Sequence, residues 1–146
     1  MPRVPKLITN LVLATCLILL LTACGTNTPT LGLAPSKQIV QKAIALQVKQ
    51  TQQKLTQRLH YSLPKLQITQ VTLKQVEPLF IENLPGYHFR GSYTLKIELP
   101  QRRINQRQRP FDIYIQRQQE GKTWRLALPK GLNQEITASW RTYLIR

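Results

Sequence analysis

"YHFRGSYTLKIELP", Tyr87 to Pro100, decides the fold. Tyr87, Phe89, Gly91, Tyr93, Leu95, Ile97 and Leu99 alternate with His88, Arg90, Ser92, Thr94, Lys96 and Glu98. Successive side chains of an extended chain point to opposite faces, so this period of two makes a long strand with one dry face and one wet face. Such a strand needs neighbours along its edges and a layer over its dry side. Both are readable in the flanking sequence.

Downstream, Phe111, Ile113 and Ile115 alternate with Asp112, Tyr114 and Gln116. "QEGK", Gln119 to Lys122, then offers a glycine turn into Thr123 to Leu128, where Trp124, Leu126 and Leu128 share a face. The pair reads as a hairpin. Upstream, Leu66 to Val76 is rich in β-branched residues, and its alternation slips between Ile68 and Val71, the mark of a bulge or a bend. The tail from Ile136 to Ile145 fits helical spacing through Ile136, Trp140 and Tyr143 about as well as strand alternation through Ala138, Trp140, Thr142 and Leu144. Its Ile, Thr, Trp and Tyr content tips it towards a strand.

The covering layer precedes the strands. Ser36 is placed to cap a helix running from Lys37 to about His60, with Val40, Ile44, Val48, Leu55 and Leu59 along one stripe and Ile39, Ala43 and Leu46 widening it. Lys42, Lys49, Gln50, Gln53, Lys54 and Gln57 solvate its other side, and Pro64 closes the segment. The fold class expected is α+β: one long N-terminal amphipathic helix packed on a four- to five-stranded antiparallel sheet. Cystatin-like and NTF2-like folds have that architecture. The Gln-x-Val-x-Gly and Pro-Trp motifs of cystatin inhibitors have no counterpart here, where Gln67-Ile68-Thr69 and Gln75-Val76-Glu77 stand instead, so protease inhibition is not indicated.

With 146 residues, 42% of them hydrophobic and 18% charged, the chain is sized for one packed domain. Folding at this size buries roughly two-thirds of the unfolded surface, which requires neither a disulfide nor a structural metal. Cys16 lies in an apolar run, leaving Cys24 without a pairing partner. The charge is lopsided, with 21 basic residues against 6 acidic ones. A chain starting at Cys24 loses Arg3 and Lys6 from the 21 and keeps 19, a formal +13. Such a field favours anionic partners and is screened by salt over roughly 8 Å.

The first residues divide into a basic start, Met1 to Lys6, an apolar stretch from Leu11 to Leu21, and the small-residue end Thr22-Ala23-Cys24. An apolar core of about 11 residues is too short to span a bilayer but suits an export signal. Leu21-Thr22-Ala23-Cys24 resembles the lipobox of bacterial lipoproteins, a better match than Leu13-Ala14-Thr15-Cys16. The resemblance implies cleavage after Ala23 by signal peptidase II and acyl chains on Cys24, with the protein held on a bacterial membrane and facing the periplasm. Gly25, where an aspartate often signals inner-membrane retention, leans towards the outer membrane. The expected organisation is a signal peptide over 1–23, a lipidated cysteine and flexible tether over 24–36, and a single α+β domain over 37–146. The stretch from Leu84 to Arg125 is similar to that of small uncharacterised cyanobacterial lipoproteins, which bring a place and not a reaction.

Catalytic chemistry has few candidates: His60, His88, Asp112, Glu77, Glu82, Glu98, Glu120 and Glu135, with no two acids spaced to project from one helix. No metal site, phosphate loop or cofactor is expected, and the chain is read as a non-enzyme. "QRRINQRQRP", Gln101 to Pro110, stands out. Arg102, Arg103, Arg107 and Arg109 are expected to crowd one hairpin end, either as a solvated loop that protects sheet edges or as a contact for an anionic envelope component. Nucleic acid is not expected, because Tyr87, Phe89 and Tyr93 fall on the dry face, away from any stacking platform. The functional expectation is a membrane-anchored, non-catalytic binding or accessory module with a basic surface. The alternative is a carrier or sensor of a small apolar ligand held between helix and sheet, in a cavity lined by Ile44, Val48, Phe89 or Trp124.

Overall fold

The computed structural model describes residues 28–59, 64–130 and 139–146. A helix, α1 (Lys37–Leu59), precedes five strands: β1 (Lys65–Ile81), β2 (Leu84–Glu98), β3 (Arg103–Arg117), β4 (Trp124–Lys130) and β5 (Ser139–Leu144). The strands form one antiparallel sheet in sequence order, and α1 packs on it. The α+β class and the strand character of the tail from Ser139 are as the sequence predicts; residues 136–138 and His60 lie outside the described residues.

The alternation in β2 places its residues as read. Tyr87, Phe89, Tyr93 and Leu95 are buried beside Ile68 and Val71 of β1, Phe111, Ile113 and Ile115 of β3, and Leu126 of β4. From the helix, Val40, Ala43 and Ile44 complete this core with no exposed surface. Each large apolar side chain buried in this way contributes about 1.5–3 kcal/mol. The helical stripe buries less than its sequence suggests: Ile39, Leu46 and Val48 are half-buried, but Leu55 is 57% exposed. Thr51, Gln52, Gln53, Lys54 and Thr56 surround Leu55 with polar residues, so this turn offers no continuous apolar stripe to the sheet. At the start of the helix, the Ser36 carbonyl accepts from the Ile39 and Val40 amides at 3.0 and 3.2 Å, as an N-cap residue's carbonyl does. Before it, Leu31–Leu33 forms a 3-10 turn, and the Tyr87 hydroxyl donates to the Thr30 carbonyl at 2.7 Å. The chain is therefore already docked at Thr30, within the segment read as a tether.

The turns have local causes. Glu82 and Asn83 join β1 to β2 with φ of 49° and 64°, the left-handed pair of a type I′ hairpin. Gly121 takes φ 72° in the β3–β4 turn, where its carbonyl accepts two bonds from the Arg117 guanidinium. That guanidinium also lies 5.9 Å from the Trp124 ring centroid.

Two departures from regularity shape the sheet. First, β2 is flanked by bulges on both sides at one level. Gln70 and Val71 of β1 oppose Tyr93, and Arg107 and Gln108 of β3 oppose Thr94. Gln70 and Gln108 both take φ 51°, a left-handed conformation that costs a residue with a side chain roughly 1–2 kcal/mol. The bulge in β1 explains the slip in its pattern, since the extra residue lets Ile68 and Val71 both face the core. Second, β4 pairs with β3 only from Tyr114 to Arg117. The sheet is thus five strands wide at the Tyr87 end of β2 and three wide at the Glu98 end. Among the described residues, nothing pairs with β3 on that side before Tyr114.

This corrects the reading of the arginine-rich stretch. It is not a loop between strands: β3 starts at Arg103 and pairs with β2 from Glu98 onward. An edge strand needs no apolar alternation to form its ladder, so "RINQRQRP" carries no strand signal although it is one.

Candidate functional site

The two bulges bound an open depression of about 930 Å³ on the wet face of the sheet. Its floor is β2, through Ser92 and Thr94; Gln70, Thr72 and Lys74 of β1 form one wall, and Arg107 and Gln108 of β3 the other. Lys74 reaches it because β1 carries a second irregularity, between Leu73 and Gln75, which leaves Lys74 without a cross-strand partner. The Thr94 hydroxyl donates to Gln70 Oε1 at 2.8 Å and fixes that wall. Two cations line the depression and no carboxylate does.

Of the four arginines, all exposed, only Arg107 enters this groove. Arg102 closes the β2–β3 turn, where its carbonyl accepts from the Leu99 amide at 2.9 Å. Arg103 opposes Glu98 in the register. Arg109 opposes Tyr93, on the face that is dry elsewhere, and donates to Gln106 Oε1 at 2.5 Å. The expected crowding at one hairpin end is therefore replaced by a spread along β3 and over both of its faces, because strand alternation separates neighbours that a loop would have gathered.

A second constellation lies on the same wet face, towards the other end of β2. His88 is only 5% exposed although it faces outward. Its Nδ1 lies 3.3 Å from Glu77 Oε2 and its Nε2 2.6 Å from Asp112 Oδ1, so the ring bridges the two carboxylates. Arg90 Nε donates to the other Asp112 oxygen at 3.3 Å and Arg90 Nη1 to Gln75 Oε1 at 3.3 Å, while Gln75 bonds Glu77 in turn. The His88 ring stacks on Tyr114 at 4.1 Å and 12°, and Trp140 meets Tyr114 edge-on at 5.1 Å. Burial, and then the Asp112 carboxylate, push the Tyr114 hydroxyl above the usual phenol range, with Arg90 opposing and Glu77 adding. The cross-strand pairs Glu77–His88 and His88–Tyr114 build this network, which no local spacing announces. Its polar groups are spent on one another. It works as a clamp across β1, β2 and β3.

On the helix side, Val48 lines a cavity of about 270 Å³ with Ala45, Lys49, Gln52, Pro64, Leu66 and Ile68. Ile44 and Phe89, expected beside it, are packed in the core instead. Ala23 and Cys24 lie outside the described residues. Among the described residues, no helix is long and apolar enough to cross a membrane, and no three His, Cys, Asp or Glu side chains are grouped to hold a metal. Compared with protein-family models, curated proteins and solved structures, the chain matches none.

Proposed function

We propose that the protein is a lipid-anchored module of the bacterial envelope, non-catalytic, whose basic face contacts an anionic envelope component. The observation that carries this reading is the acid-free groove with Lys74 and Arg107 on its walls, beside the exposed Arg102, Arg103 and Arg109. The anchor rests on Leu21-Thr22-Ala23-Cys24: acyl chains on Cys24, each adding about 0.8 kcal/mol per buried methylene, hold the chain on a membrane, periplasm-facing and by Gly25 in the outer one. In its finer detail the architecture is read as cystatin-like or NTF2-like, and no cofactor or nucleic acid is part of the proposal.

Two experiments test it. Labelled fatty acid should enter the wild-type chain and not Cys24→Ala, which should leave the membrane fraction; label-free wild type removes the anchor. Full-length protein with Arg102, Arg103, Arg107 and Arg109 replaced by Gln should lose its excess retention on lipopolysaccharide or phosphatidylglycerol vesicles over phosphatidylcholine vesicles, which the acyl chains alone do not distinguish, each cation near an anionic surface adding about 1 kcal/mol. Unchanged retention removes the basic-face contact.

The cavity at the α1–β1 seam favours a second reading, carriage of a small apolar ligand, because Ala45, Val48, Leu66 and Ile68 supply an apolar lining. A Val48→Trp variant should then lose binding of a fluorescent fatty acid; equal binding by both proteins ends that reading.

A further inference from the structure

We infer that the groove between the two bulges is a binding site for an anionic oligosaccharide, carrying carboxylate or phosphate groups. This rests on the reading of the chain as an anion-contacting envelope module and names the chemistry of the contact. Three observations converge on it.

The lining is the first. Lys74 and Arg107 stand on opposite walls, on β1 and β3, with hydroxyls and amides from Thr72, Ser92, Thr94 and Gln108 between them. Hydroxyls and amides both donate and accept, which matches the hydroxyls of a sugar ring, and cations spaced across a groove match acidic groups repeated along a chain. A headgroup with its acyl chains would need an exposed apolar wall, but the one aromatic lining residue, Tyr93, is buried.

The second is the backbone. A bulge leaves an extra residue outside the ladder, and here both bulges open on the same groove, at Gln70–Val71 and Arg107–Gln108. The left-handed conformations of Gln70 and Gln108, one on each wall, belong to these bulges, and both positions hold a glutamine where glycine would fit without strain. Strain of this kind persists where the surroundings fix it, and it clusters at ligand sites.

Position is the third. The Tyr87–Thr30 hydrogen bond docks the N-terminal segment at one end of β2. Thr94 lies seven residues further along the same strand, about 23 Å away at roughly 3.3 Å per residue. From Cys24, the six residues to Thr30 extend at most about 20 Å. The groove is thus set apart, along β2, from the point at which the N-terminal segment is tied to the sheet.

The test uses the full-length protein with four probes: hexagalacturonate, a phosphorylated mannose hexamer and methyl-esterified hexagalacturonate in detergent, and, without detergent, phosphatidylglycerol vesicles compared with phosphatidylcholine vesicles. Calorimetry should show binding of at least one acidic hexamer, the two acidic probes distinguishing carboxylate from phosphate, and at least tenfold weaker binding of the ester. Lys74→Gln should weaken the acidic hexamer about tenfold while vesicle retention stays at the wild-type level; Arg102→Gln with Arg103→Gln should do the reverse. Thr72→Val with Ser92→Ala, which removes two hydroxyls and no charge, should also weaken the hexamer, an effect that non-specific attraction would not produce. Equal binding of ester and acid, unchanged binding in Lys74→Gln, or no binding of either acidic hexamer overturns the inference. In the last case, vesicle retention tells the two readings apart: retained protein leaves the basic-face contact standing, and unretained protein removes that as well.

Discussion

At the Tyr87 end of β2 the sheet is five strands wide, with α1 packed over one face and the His88 network closed over the other. At the Thr94 end three strands pair among the described residues, with bulges on both sides of β2, and the wet face is open to solvent over a groove lined by no carboxylate. Both ends belong to the same three strands and share one alternation. The dry face is buried at both ends, through Tyr87 and Phe89 at one and Tyr93 and Leu95 at the other, so the difference lies on the wet face, which one end closes with a hydrogen-bonded network and the other leaves as a shaped surface with strained backbone.

Gly91 is the joint between the two ends, and substituting it should have the largest effect. A Cβ there would collide with the Thr72 carbonyl oxygen and come within 2.9 Å of the Phe111 ring. Neither neighbour has room to yield, because Thr72 pairs with Ser92 next to the bulge and Phe111 is in the core. Gly91→Ala should cost at least about 3 kcal/mol in urea unfolding or abolish the cooperative transition. A loss below about 1 kcal/mol would mean that the two ends are not rigidly joined.

The packed end should respond next. Asp112→Ala leaves the buried Nε2 of His88 without its partner, which costs about 1–3 kcal/mol, and it should also loosen Arg90. Lys74→Gln at the open end should stay within about 0.5 kcal/mol of wild type, as an exposed side chain without a packing role does. If the two variants unfold at the same urea concentration, the contrast between the ends is wrong.

Relief of strain should move stability the other way. Gln108→Gly removes a side chain from φ 51° and should stabilise the domain by about 0.5–1 kcal/mol, the left-handed cost less the extra freedom of glycine in the unfolded chain. The same change should weaken any ligand held by that wall, which would separate strain kept for binding from strain that is merely tolerated. Melting temperature and hexamer titration on one preparation read both effects.

Alkaline pH gives the smallest effect and acts only on the packed end. Tyr87 and Tyr114 are both raised above the ordinary phenol value of 10.0, burial being the main cause in each. The folded chain therefore holds these protons longer than the unfolded chain. Their contribution is fully present below pH 10 and is lost as pH rises through the folded values. Tyr114→Phe should flatten part of the fall in the unfolding midpoint above pH 10 while leaving the neutral range unchanged.

Much of the packed end was legible in the sequence, since burial selects apolar residues at strand or helix spacing and leaves that period behind. Tyr87 to Leu99, Phe111 to Ile115 and the slip between Ile68 and Val71 all carry it. Leu55 shows the limit: a leucine at the right spacing is buried only if the sheet reaches it. The open end left little trace. Arg103 to Pro110 has no dry face to display, so its strand resembled a loop, and the bulge at Gln108 falls where no apolar pattern exists to slip. Glu77, His88 and Asp112 are eleven and twenty-four residues apart and meet only through the register of three strands. Arg107 was picked out for its charge among arginines, but its separation from Arg109 needed the strand to be known.

Among the described residues β3 has no strand on its outer side from Arg103 to Asp112, which has a consequence beyond the groove. In the lipid-anchored reading proposed above, copies of the chain would meet at high local concentration, where bare backbone amides invite templated fibril growth. Along Arg103 to Asp112 that invitation is refused three times: by a proline at position 110 that has no amide hydrogen to offer, by a kink at Gln108 that throws the hydrogen-bonding groups out of line, and by positive charges that repel an identical neighbour. Proline, kink and charge together disfavour pairing of two copies along that strand.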